Sequence, residues 1–228
     1  VSFGLPGILG SLRLQFISRV VPDVTFELLE TLKLADGEYT LLHRHLERLN
    51  KSAEHFGIPV DMEGITSALQ AHASQYQGKE RRVRLLLSQT GHIRVESTVL
   101  IELSPVVQPV ALAKTPISKQ DWSLYHKTTC REVYRKHQNE HAGVFDVLLW
   151  NEDGNITEFT NGNAVFEIGG EKITPPRDCG LLGGTFRQEL LHQGMICEGT
   201  IRLSDIVRST QMWFINSVRG WVTVRIVQ

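Results

Sequence analysis

The feature that most limits what this chain can fold into is a proline-bearing stretch at its middle. Residues 104–120 hold Pro105, Pro109 and Pro116 and show no sustained apolar period. Each proline lacks a backbone N–H and biases the residue before it toward extended backbone, so no long helix is expected to cross the stretch. It separates two halves with different patterning. Before it, apolar spacing predicts strand, helix, helix, strand, strand; after it, a helix and then a meander of short strands. The expected division is an N-terminal extension over 1–23, a small α+β subdomain over 24–104, a linker over 105–120 and a larger, mostly antiparallel α+β subdomain over 121–228. At 228 residues, each half has enough chain to bury a core.

In the first half, Val24 to Leu34 reads as a strand that stops at the turn pair Asp36-Gly37. Leu42, Leu46, Leu49, Ala53 and Phe56 repeat at helical spacing up to Gly57 and Pro59. Met62 to Tyr76 reads as a second helix, and Arg82–Leu87 with His92–Leu103 as a hairpin joined at Gln89-Thr90-Gly91. In the second half a helix is expected near Thr128–His141. Strands follow at Val144–Trp150, Ile156–Phe159, Ala164–Ile168 and Lys172–Thr174, then Leu181-Leu182-Gly183-Gly184-Thr185 leads into a short helix through His192 that Gly194 closes. A short helix capped by Ser204 and two strands ending at Val227 complete the chain. Leu12 to Phe16 alternates as an edge strand does, while Arg13 and Arg19 without any acid in residues 1–22 also suit the remains of a targeting peptide.

Charge and composition exclude several classes. Lys and Arg number 24 against 25 Asp and Glu, a formal charge of −1, which argues against a nucleic-acid coat or a polybasic membrane anchor. No apolar run approaches the roughly 18–20 residues of a membrane span. Cys130, Cys179 and Cys197 are widely spaced without C-x-x-C, so neither a disulfide framework nor a zinc ribbon is expected; a reducing, cytoplasmic setting is. His43 and His45 stand two apart and diverge on a helix, and H-E-x-x-H is absent, so no metal is expected.

Three local features carry chemistry. Gly183-Gly184-Thr185 opens a helix, where bare backbone N–H groups make an anion nest; the plain alternative is a glycine turn before a helix. Lys127 lies between the proline stretch and the expected helix, where a lysine is ordinarily a solvated charge. Glu158, by strand alternation, shares the inward face with Ile156, and a buried acid demands a partner such as a cationic heterocycle.

In this order and spacing the three features resemble the fold-type IV, pyridoxal-phosphate-dependent family. The likeness extends over residues 24–227. It includes Leu28-Leu29-Glu30-Thr31-Leu32, His45-Leu46-Glu47-Arg48-Leu49, His126-Lys127-Thr128, Thr157-Glu158, Asn163-Ala164-Val165-Phe166 and Leu182-Gly183-Gly184-Thr185-Phe186-Arg187. Phe145-Asp146-Val147-Leu148-Leu149-Trp150-Asn151-Glu152, Cys179-Gly180-Leu181-Leu182 and Ile215–Trp221 are similar, more narrowly, to the aminodeoxychorismate lyases, including those fused to a 4-aminobenzoate synthase. Residues 1–22 do not resemble the hairpin with which most members begin.

The resemblance implies an α+β fold of two subdomains with the cofactor, pyridoxal 5'-phosphate, between them. It implies Lys127 as the residue that holds the cofactor covalently and then serves as general acid and base. Glu158 would face the pyridine nitrogen. Arg48, Gly184, Thr185 and Ser217 would bind the phosphate, and Arg219 and Thr31 the substrate. Tyr134, seven residues past Lys127, is either near the cofactor or helix packing. The expected reaction is conversion of aminodeoxychorismate to 4-aminobenzoate and pyruvate by a homodimer, alone or with a synthase domain. An aminotransferase of branched-chain or D-amino acids, and a non-catalytic cofactor- or partner-binding domain, are the alternatives.

Overall fold

The alternating leucines after Phe26 fold as a strand in this computed structural model, which describes residues 24–76 and 78–227. Strand β1 (Glu27–Ala35) turns at Asp36-Gly37 into β2 (Glu38–Tyr39), and helices α1 (Leu42–Phe56) and α2 (Met62–Ala73) follow. Gly57 closes α1 at φ 68°, a left-handed position that costs glycine nothing, and Asp61 caps α2 by accepting the Gly64 N–H at 2.9 Å. Strands β3 (Arg81–Ser88) and β4 (Ile93–Val99) complete an antiparallel sheet in the order β2-β1-β3-β4. β4 ends at Val99, short of the expected Leu103, because Val99-Leu100-Ile101 breaks the two-residue period; residues 100–107 are a mostly exposed connection.

One face of this sheet packs Leu28, Leu32, Leu34, Val83, Leu85 and Leu87 against Leu49, Ala53, Phe56, Ile65 and Leu69 of the two helices. The other face carries Thr31 opposite Arg84, and Arg84 opposite Glu96, and turns toward the second half. This alternation decides which residues of the first half can reach a site.

The second half contains β5 (Gln108–Leu112), α3 (Glu132–Asn139), β6 (Asp146–Trp150), β7 (Ile156–Phe159), β8 (Gly162–Ile168), β9 (Glu171–Thr174), α4 (Thr185–His192), β10 (Cys197–Glu198), β11 (Gln211–Asn216) and β12 (Gly220–Ile226). Strands β8-β11-β12-β5-β6-β7 pair in that order, and β7 also pairs β8, closing a six-stranded ring; β9 and β10 extend it from β8. Pairings are mostly antiparallel, with β12–β5, β5–β6 and β9–β10 parallel. Val110, Leu148, Phe159, Phe166, Phe214 and Val224 form the core. Among the described residues no helix is long and apolar enough to cross a membrane.

Three further expectations are corrected. The stretch 105–120 is not all linker: β5 lies within it, buried at Val110 and Ala111 between two parallel neighbours. A strand covered on both faces shows no alternation, and a single proline near its start, Pro109, still accepts the Phe145 N–H at 2.7 Å. The helix expected from Thr128 begins only at Glu132, because residues 127–129 are drawn out along β1. There Leu29 N–H donates to Lys127 O and Thr129 N–H to Glu27 O, both at 2.9 Å, an arrangement that suits β-branched threonines beside an open strand edge. The short helix after Ser204 is a 3₁₀ turn (Leu203–Arg208) closed by Asp205 accepting the Arg202 N–H at 2.9 Å, not by Ser204. The strand expected at Leu12–Phe16 lies outside the described residues.

Candidate functional site

Between the arginine-bearing face of the first sheet and the strand ring is a cavity of about 600 Å³. Thr31, Arg48, Lys127, Glu158, Gly184, Thr185, Ser217 and Arg219 all line it. They come from β1, α1, the extended 127–129 segment, β7, the α4 start and the β11–β12 turn, so the fold brings together residues spread over most of the described chain.

Glu158 is 3% exposed, and every residue of β7 is buried, so alternation alone does not distinguish it. Its surroundings do. Tyr134 Oη donates to Oε1 at 2.8 Å, Asn163 Nδ2 to Oε2 at 3.3 Å, and the Leu182 N–H also donates. All three donors are neutral. Burial therefore wins over them and pushes the carboxyl up to about 8. Asn163 also donates to Leu182 O at 2.9 Å, which fixes the loop leading into α4.

Lys127 faces the same space from the segment stitched to β1. Burial lowers its ammonium to about 7, helped by the positive charges of Arg48 and Arg131 and opposed by Glu30 and Glu158. An amine that is half neutral near pH 7 can act as nucleophile or base.

Arg48 reaches the cavity wall from α1. Its Nε and Nη2 donate to Glu30 at 2.8 and 2.5 Å, and Nη1 donates to Gly183 O at 3.2 Å. A guanidinium has five N–H groups, so two remain for a ligand. Glu30 also lies 2.5 Å from His45 Nδ1, and His45 Nε2 lies 3.2 Å from Thr185 Oγ1. Burial would raise the Glu30 carboxyl, but Arg48 and His45 outweigh it and hold it at about 2. Helix α4 has no side-chain cap at Gly184, which leaves its first N–H groups to whatever lies before it. A Cβ at Gly184 would stand 1.9 Å from Asn163 Oδ1, so only glycine fits there.

The roof and rim of the cavity are basic. Arg82 and Arg84 project from β3, Arg131 precedes α3, and Arg219 sits on the β11–β12 turn, with Glu96 pairing Arg84 at 3.3 Å. Arg131 donates to Thr160 O at 2.6 Å, and Arg219 donates to Ile101 O. Asn216 Oδ1 accepts the Val218 and Arg219 N–H groups at 3.0 and 2.8 Å, fixing the turn that carries Ser217. The Ser217 hydroxyl donates weakly to Thr31 O at 3.5 Å.

The sequence places Glu30, His45 and Asn163 in the family motifs without giving them a role, does not mark the β3 arginines, and leaves Tyr134 open. Glu30 had a readable signal: it interrupts the leucine face Leu28, Leu32, Leu34, and an acid there must be partnered, as was argued for Glu158. Tyr134 reaches Glu158 although residues 128–131 are not helical, so its seven-residue spacing from Lys127 was not the reason.

Comparison with known proteins places the chain in a family. A putative aminodeoxychorismate lyase of Schizosaccharomyces pombe is 34% identical over 194 residues, covering 82% of this chain and 84% of that one. A protein of Mycobacterium tuberculosis named bifunctional aminodeoxychorismate lyase / D-amino acid transaminase is 24% identical, over 83% of this chain and 77% of its own. The solved structure of a putative amino-acid aminotransferase from Mesorhizobium loti superposes with a TM-score of 0.84 at 33% identity, covering 89% of this chain and all of that one. The sequence model of amino-transferase class IV matches residues 27–227, nearly the whole of the described fold, and the chain therefore belongs to the class IV aminotransferase family.

Proposed function

We propose that the protein is an aminodeoxychorismate lyase that, with pyridoxal 5'-phosphate bound, converts 4-amino-4-deoxychorismate to 4-aminobenzoate and pyruvate. Members of its family depend on that cofactor. The residues around the cavity fit it. Glu158 is a buried carboxyl with only neutral donors, and a protonated pyridine nitrogen is the cation it lacks. The uncapped α4 terminus at Gly184 and Thr185, the two remaining Arg48 N–H groups and the Ser217 hydroxyl suit a phosphate.

Bound there, the cofactor supplies an electron sink for the carbon that bears the substrate amine. Lys127, poised near neutrality, takes the proton from that carbon. The C–O bond to the neighbouring enolpyruvyl group then breaks; enolpyruvate leaves and takes up one proton, equal to the one removed, to become pyruvate, and an aromatic ring remains. The step is an elimination: the substrate's atoms divide between two products, and no oxidant or second substrate enters. Glu158, held by Tyr134, keeps the ring-nitrogen proton in place, and Thr31 and Arg219 orient the substrate.

The observation that carries the substrate reading is the basic roof. Arg82, Arg84, Arg131 and Arg219 line one side of the cavity with Glu96 as their acidic neighbour. A cyclic substrate with two carboxylates complements that surface better than an amino acid with one carboxylate and an apolar side chain. The S. pombe relative's name supports the same reading. The same reading takes the working unit as a cytoplasmic homodimer, alone or joined to a 4-aminobenzoate synthase domain.

The test is to supply aminodeoxychorismate and follow pyruvate with wild type and Lys127→Ala. Release by the wild type, and its loss in the variant by at least about a thousandfold, is expected when a residue serves as both covalent anchor and proton carrier. Equal rates would remove Lys127 from the chemistry. The M. tuberculosis relative's second name favours one other reading, an aminotransferase. Amine transfer to 2-oxoglutarate with no pyruvate formed would establish it instead.

A further inference from the structure

Glu30 occupies the place of a core leucine. It points from β1 into the helix-facing side of the sheet, between Leu28 and Leu32, and is 1% exposed. A carboxylate there persists only if its charge is met, and two side chains of α1 meet it. Arg48 grips it with Nε and Nη2, and His45 with Nδ1. Each then passes on to the second half of the molecule. Arg48 Nη1 donates to Gly183 O at 3.2 Å, and His45 Nε2 meets Thr185 Oγ1 at 3.2 Å. Two arms thus run from one buried acid to the guanidinium at the cavity wall and to the first turn of α4. Glu30 itself does not line the cavity.

We propose that Glu30 is the positioning residue for the phosphate end of the cavity, aiming Arg48 and seating the α4 N-terminus without touching the cofactor. This rests on the cofactor reading above. An arginine side chain has many rotamers, and a guanidinium free to sample them loses that freedom when it binds an anion. Chelation by a fixed carboxylate selects one rotamer in advance and turns the two uncommitted N–H groups away from Glu30. The second arm acts on the helix end: with Nδ1–H given to Glu30, His45 Nε2 holds the Thr185 hydroxyl and so ties the start of α4 to α1. An uncharged amide of the same shape would fill the core equally well but could not grip the guanidinium as firmly. The role is therefore separable from packing.

The separation is made by titrating the full chain, stripped of cofactor, with pyridoxal phosphate and with pyridoxal, which lacks the phosphate. Quenching of tryptophan fluorescence reports binding for wild type, Glu30→Gln, Arg48→Ala and the double variant. Glu30→Gln is expected to weaken pyridoxal phosphate by about tenfold or more and to leave pyridoxal within about twofold, the scale of a charged hydrogen bond acting at one end of the ligand. The double variant should lose little beyond Arg48→Ala alone, that remainder being the His45–Thr185 arm, because Glu30 acts largely through Arg48. Equal weakening toward both ligands, or losses that simply add in the double variant, would overturn the proposal. If Glu30→Gln fails to fold, Glu30→Asp takes its place: the charge stays, the carboxylate retracts by one methylene, and the same ligand pattern is required. A wild type that binds neither ligand fails the cofactor reading itself. A wild type that binds both equally puts the phosphate elsewhere and refutes the role of Glu30.

Discussion

Two acids define this site, and their environments push them in opposite directions. Glu30 is met by Arg48 and His45 and stays ionised; Glu158 is met only by neutral donors and holds its proton to about pH 8. The consequence for stability follows from linkage. Glu158 is raised from 4.5, so its protonated form contributes stability fully below pH 4.5, and the contribution is lost as pH rises through about 8. In the cofactor-free protein the urea midpoint of the wild type should therefore fall more between pH 5 and pH 8.5 than that of Glu158→Gln, whose side chain does not titrate. Lys127 is present in both; without the Glu158 charge its ammonium is held lower still, so its opposite trend widens the difference rather than masking it. Parallel slopes for the two proteins would mean that Glu158 is ionised in the folded state. At this scale the sequence was informative where a residue type is unusual for its place, as with an inward acid on a strand or glycines opening a helix. It gave Asn163 only a place in a family motif and no role, and it was silent on Arg82; both look like ordinary polar residues until the fold brings them to the cavity.

The elements were mostly legible because their signals are local. α1 ends where Gly57 and Pro59 end it, and α4 opens at the glycine-rich run that signals it. What could not be read was long-range pairing. β5 is a strand because β12 and β6 flank it, and residues 127–129 are extended because the edge of β1 is open to them. Neither neighbour is visible within a short window of sequence, and tertiary pairing overrode the helix signal after Thr128. The start of α4 is the element on which the site leans most, and it tolerates no side chain at residue 184. Gly184→Ala drives a methyl into Asn163, which must release Glu158 or Leu182 O. The expected cost is about 1–3 kcal/mol of stability, read as a lower denaturation midpoint, together with loss of cofactor binding. A variant of undiminished stability that still binds pyridoxal phosphate would show that the helix end can shift freely.

The molecule as a whole is held by more than its covalent connection. Trp122 and Cys130 pack against the first core, Trp122 lies 5.3 and 5.5 Å from the rings of Phe26 and Phe56, and His126 stacks on His55 at 4.3 Å. The exposed connection at 104–107 crosses between the halves once, whereas these contacts and the 127–129 segment join them again. A single cut after Val106 or Val107 should therefore yield two fragments that still run as one species on native size exclusion and separate only in denaturant. Prompt separation would mean that the connection, not the packing, joins the halves. The stitching of residues 127–129 to β1 has a mechanical consequence as well. Lys127 is reached by the chain from the second half, yet its backbone is anchored to the first, while Glu158 is built into the strand ring. Any hinge motion between the halves is thus a change in the spacing between the amine and the acid. Swinging the halves apart to admit a ligand would draw the amine away from the acid until the halves close again, so the pair is complete only in the closed arrangement.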